Sequence, residues 1–84
     1  MAASPISVDQ ALAMMAEAFQ VPASELTPER TRDTLPDWDS MGALMLMAEI
    51  DERFGVELTA DESRAMTRIA DVLEFLRRHA LLAA

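Results

Sequence analysis

No feature limits the fold of this chain more than the stretch VPASELTPERTRDTLPDW, in which Pro22, Pro28 and Pro36 follow one another closely. Each proline lacks an amide N–H and pushes the residue before it out of the α region, so neither a long helix nor a central strand runs through. Residues 21–38 therefore read as one long connection. Such connections are uncommon in small domains and are often disordered or functional. Leu26 and Leu35, the aliphatic residues in its middle, are expected to pin it to a core.

Helical periodicity fills the chain on both sides. Before the connection, Ser7 and Gln10 form a capping box, and Val8, Leu12, Met15 and Phe19 recur at helical spacing, ending before Val21-Pro22. After it, from Ser40 to Phe54, Leu46, Ile50 and Phe54 make one ridge flanked by Ala43 and Met47, and Gly55 stands where a C-terminal glycine belongs. Thr59 and Glu62 form a second box for a short helix through Met66. Thr67 then opens a last helix carrying Ile69, Val72, Leu73, Leu76 and Ala80, with Arg77, Arg78 and His79 in its final turns, where cations suit the helix dipole. No segment alternates β-branched residues for long enough to make a strand. The expected fold is all-α: a bundle of three main helices and one short helix, in a single domain over 1–84 with its core within about 7–81.

Composition narrows the function. At 84 residues the chain buries only about 60–65% of its unfolded surface, which leaves little room for a deep active site. No apolar run approaches the ~18 residues of a membrane span. The opening Met1-Ala2-Ala3-Ser4-Pro5 has no basic segment leading into an apolar one, so no secretion signal is expected and the expected location is cytoplasmic. Cysteine is absent, so any thiol chemistry must be imported. A net charge of −8 repels phosphate backbones and anionic lipid, which argues against nucleic acid and membrane and favours basic protein surfaces as partners.

Within PDWDSMG, residues 36–42, Ser40 heads the most apolar of these helices, and the functional question rests on it. One reading is a helix cap; Asp39 is the better placed cap, which leaves the Ser40 hydroxyl free. A hydrolase nucleophile would need the first glycine of a G-x-S-x-G elbow, and the only histidine, His79, lies in the polar tail, so no catalytic residue is assigned. Asp37, Asp39 and Gly42 match three positions of an EF-hand loop, but Met41 and Ala48 stand where an oxygen ligand and a bidentate Glu are required, so no metal is expected. The fourth reading is covalent modification of Ser40.

Asp39-Ser40-Met41 at the end of a long loop, an apolar helix ending in EIDERFGVEL, a short helix and a final helix opening at Thr67 together resemble the acyl carrier protein family, over about Ser7 to Leu81. The form LPDWDSM is most similar to freestanding carriers of specialised polyketide, fatty-acyl or nonribosomal-peptide pathways. The resemblance implies an acyl-carrier-protein-like bundle, monomeric and without catalytic activity of its own. It implies that Ser40 is esterified by a 4′-phosphopantetheine arm, taken from coenzyme A by a phosphopantetheinyl transferase with a magnesium ion, and that Asp39 is the acid of the recognised motif. The arm's thiol would carry acyl groups as thioesters, loaded by an acyl or aminoacyl ligase or transferase and presented to synthase enzymes. The physical reading agrees, since a helix N-terminus favours the resulting phosphodiester anion.

The outer face of the same helix carries Met41 and Met45 one turn apart, then Ala48, Glu49 and Glu52. Exposed methionines are costly unless covered, so either one packs under the long loop or both form an adaptable contact for partner enzymes. In fatty-acid carriers this helix typically begins with acids that dock on Arg and Lys patches. Here Gly42 and Met45 stand at such places, while Asp51 and Glu52 keep the lower half acidic, which implies dedicated partners and a mixed apolar and electrostatic interface. Trp38 either covers the loop base or flanks the arm. Two alternatives stay open: a peptidyl or aminoacyl carrier, and an unmodified acidic helical adaptor in which Ser40 is only a cap.

Overall fold

A computed structural model describes residues 5–83. Four α-helices follow in order: α1 (Val8–Phe19), α2 (Ser40–Phe54), α3 (Ala60–Ala65) and α4 (Ile69–Arg78). Among the described residues there is no strand, and the only β pairings are isolated bridges, Ile6 with Leu82 and Thr31 with Arg68. The fold is the expected all-α bundle.

Local chemistry sets most boundaries. Ser7 and Gln10 close the capping box of α1, and Thr59 and Glu62 close that of α3. Gly55 ends α2 in the left-handed region at φ 65°, where a side chain is disfavoured. Around these ends packs a core of Met14, Met15, Phe19, Leu46, Ile50, Leu58, Ile69, Val72, Phe75 and Leu76, all fully buried.

The buried face of α1 differs from the expected stripe. Met15 and Phe19 are buried, but Val8 is exposed and Leu12 only half-buried, while Ala11, Met14 and Ala18 face the core. A stripe drawn through Val8 and Leu12 is rotated away from Met14 and from the alanines, whose small side chains suit a closely packed helix face. The last helix also begins later than expected. Thr67 lies outside α4, donating through its N–H and hydroxyl to Asp71 Oδ2 at 2.9 and 3.2 Å, and Arg68 is the cap. At the other end, Ala80 is not helical but exposed and left-handed, with φ 57°. The amides of Ala80 and Leu81 donate to Arg77 O and Leu76 O, so the chain reverses and Leu81 takes the core place.

The long connection is ordered. It contains two 3₁₀ turns, Ala23–Glu25 and Arg32–Thr34, and Leu26 and Leu35 are both buried as expected. It also supplies acceptors to the first free amides of α4: Ile69 N–H donates to Arg30 O at 3.0 Å and Ala70 N–H to Pro28 O at 2.9 Å. Arg32 N–H donates to Thr67 O at 2.8 Å, completing the seam.

Candidate functional site around Ser40

The loop enters α2 through a fixed corner. Trp38 is buried and stacks on Phe19 with ring centroids 4.8 Å apart, so it covers the loop base. The Arg32 guanidinium lies 5.5 Å from the Trp38 ring centroid, and its Nε donates to Trp38 O at 3.1 Å. Asp39 follows in extended conformation as the cap, its Oδ1 accepting from Met41 N–H at 3.1 Å and Gly42 N–H at 3.0 Å. Ser40 is thereby the first helical residue; it is exposed, and its hydroxyl has no hydrogen-bond partner among the described residues.

Gly42 explains why the corner is so tight. A Cβ at this position would stand 1.9 Å from the carbonyl oxygen of Asp37 and 3.3 Å from Phe19 Cδ1. Gly42 is buried, so it does not belong to the outer face on which the sequence placed it. It is the spacer that lets the loop pass against the first turn of α2.

Ser40 opens into a groove of about 280 Å³ between α2 and α3, with Ala43, Leu44, Met47, Ala60 and Ser63 along it and the Arg32 and Arg64 side chains at its edges. The arrangement presents a primary alcohol to solvent with no general base bonded to it. His79 is instead seated on Phe75, ring centroids 4.4 Å apart, at the end of α4. Among the described residues no cluster of His, Cys, Asp or Glu is placed to hold a metal ion.

The outer face of α2 is more apolar than the sequence suggested. Met41, Leu44 and Met45 are 66, 57 and 48% exposed, so neither methionine packs under the loop, and Leu44 joins them. At about 100° per residue, Met41, Met45 and Glu52 fall nearly on one line, with Leu44 and Asp51 beside it. Asp39, Ser40 and Met41 are therefore gathered at the head of the helix. Asp51 and Glu52 are exposed on the same face, roughly 15–18 Å along the axis at ~1.5 Å per residue. Two contributors were missed in the sequence. Leu44 was detectable as the i+3 neighbour of Met41, whereas Arg32 carried no local signal because its partners, Trp38 and Ser63, are set by the tertiary fold.

Two carboxyls near the site's supporting helices are shifted. The Thr59 N–H holds Glu62 below the usual carboxylate range. The Thr67 N–H does the same for Asp71, against an opposing effect of burial and with further help from bonds donated by Arg68.

No protein-family model matches the chain. It is similar to curated acyl carrier proteins along most of its length. The protein of Thermobifida fusca is 29% identical over 62 residues, 74% of this chain and 78% of that one. That of Helicobacter pylori strain G27 is 28% identical over 69 residues, 82% and 88% of the two chains. That of Rubrobacter xylanophilus is 28% identical over 64 residues, 76% and 79%.

Proposed function

Because the chain belongs to the acyl carrier protein family, we propose that its carrier role is exercised through Ser40, as the attachment point of a 4′-phosphopantetheine arm. The observation that supports this most is the division of labour at the head of α2. Asp39 occupies the cap, so the Ser40 hydroxyl is left exposed, unbonded and facing a groove. The residues present fit such a group: the alcohol is free to form the phosphodiester, and the groove beside it has room along α2 and α3.

In the transfer, the Ser40 oxygen forms the new P–O bond, adenosine 3′,5′-bisphosphate leaves coenzyme A, and the serine proton passes to a base of the phosphopantetheinyl transferase. The bound arm supplies the thiol that this cysteine-free chain lacks, and acyl groups are carried on it as thioesters. The protein's own residues position rather than catalyse. Asp39 holds the first amides of α2, Gly42 admits the loop, and the stack of Trp38 on Phe19 keeps Ser40 at the corner.

The loading ligase or transferase and the synthase enzymes are proposed to dock on the outer face of α2, with Met41, Leu44 and Met45 giving apolar contact and Asp51 and Glu52 meeting basic residues. The test is the intact mass of the protein after incubation with coenzyme A, magnesium and a broad-specificity transferase, beside Ser40→Ala. One phosphopantetheine mass gain in the parent and none in the variant is expected. No gain in either, with the fold intact and more than one transferase tried, returns Ser40 to the role of a cap in an unmodified adaptor.

A further inference from the structure

The Ser40 groove departs from the charge of the rest of the molecule. The chain has 15 acids against 7 arginines, yet two arginines and no carboxylate line this groove. Arg64 at its rim is 70% exposed at the side chain and already paired with Asp61. Arg32 is different. Among the described residues, Arg30, Arg53, Arg64, Arg68 and Arg77 each have a carboxylate partner, and Arg32 has none. Arg78, likewise without one, sits in the last turn of α4, where helix carbonyls favour a cation.

Arg32 is also held in place. It is half-buried, with Nε donating to Trp38 O at 3.1 Å and Nη1 to Ser63 O at 3.2 Å, so the guanidinium bridges the loop end and α3. Two of its five N–H donors are used, which leaves three for another acceptor. Trp38 precedes Ser40 by two residues, a span of at most about 7 Å of backbone. A rigid, uncompensated guanidinium of this kind suits a phosphate.

We infer that Arg32 is a positioning residue for the modified state: it pairs with the phosphodiester on Ser40, offsets the repulsion from Asp39 and directs the arm into the α2–α3 groove. This rests on the reading of Ser40 as the attachment site. Before modification the Arg32 charge is unmatched; afterwards it is matched, so the modified protein gains stability through an ion pair that salt screens.

The test compares unmodified and modified protein for the parent, Arg32→Gln and Arg32→Lys, with intact mass establishing modification in each. In the parent at low salt, modification is expected to raise Tm by at least about 2 °C, shrinking toward 0.5 M NaCl. The gain should be absent in Arg32→Gln and partly restored in Arg32→Lys. A merely structural Arg32 would lower both forms equally, and an equal gain in the parent and Arg32→Gln overturns the proposal. Should Arg32→Gln fail to fold, the Arg32 Nε–H resonance of the parent decides: it moves on modification if the pair forms, and an unmoved resonance overturns it. Absence of a mass gain in the parent instead removes the Ser40 reading beneath it.

Discussion

Gly42 and Ala80 show how single residues shape this fold in ways that a hydrophobic pattern does not record. Alanine at position 42 would improve helix propensity by about 1 kcal/mol, but its Cβ would meet the Asp37 carbonyl at 1.9 Å, a backbone atom that cannot turn aside. Gly42→Ala is therefore expected to lower stability by about 1–3 kcal/mol in urea unfolding and to slow modification of Ser40, because relief requires the 37–39 corner to move. Unchanged stability would mean that the loop does not press on α2. Ala80 is the reverse case, a side chain at φ 57° closing α4 where glycine is favoured. Ala80→Gly should stabilise the fold by about 0.5–1 kcal/mol, the left-handed strain removed exceeding the chain entropy added. A lower Tm for this variant would refute that balance. Neither effect was legible in the sequence. Gly42 reads there as a place on the outer face of α2 where an acid typically stands in fatty-acid carriers, and Ala80 fits the helical period of Leu73 and Leu76 while carrying no turn signal of its own.

At the scale of elements, the sequence was most informative where chemistry is local. The span of α2 from Ser40 to Phe54, its Gly55 stop and the two capping boxes follow from neighbouring residues and stand as expected. The rotation of α1 toward Ala11 and Ala18 and the seam from Pro28 and Arg30 to α4 depend on partners distant in the chain. The surroundings of Ser40 divide in the same way: Asp39 as the cap, with Ser40 left in the first turn, follows from neighbouring residues, whereas the seat of Arg32 against Trp38 and Ser63 does not. The outer face of α2 makes a prediction of its own. Met45 is 48% exposed, so Met45→Glu should change folding stability by less than about 0.5 kcal/mol. If Met41, Leu44 and Met45 form the centre of a partner interface, the same substitution should lower acyl transfer by the cognate loading enzyme about tenfold or more, mainly through KM. Transfer at the parental rate would remove the apolar half of the proposed docking face.

Across the whole molecule, acidity acts in two opposing ways that pH and salt separate. At pH 7 a net charge of −8 on a small domain is self-repelling, so moderate NaCl should raise Tm by screening. Lowering the pH also relieves that repulsion, but it removes the carboxylate caps that organise the α3–α4 end. Asp71 accepts from the N–H groups of Thr67 and Arg68 at 2.9 and 3.1 Å, and Glu62 from that of Thr59 at 3.1 Å. Both carboxyls titrate below their ordinary range because these amides favour the charged form. A pKa depressed in the folded state contributes stability that is present above the unfolded value, about 4, and is lost as pH falls through the folded one. Asp71→Ala should therefore be less stable than the parent at pH 7, by about 1 kcal/mol as for a lost cap. The two stability curves should draw together as the pH drops from about 4 toward 2. Relief of general repulsion does not produce this convergence, since both proteins share nearly all of their acids. A gap that stayed constant from neutral pH to pH 2 would show that Asp71 acts through packing rather than through its charge, and the seam joining the long loop to α4 would then owe nothing to ionisation.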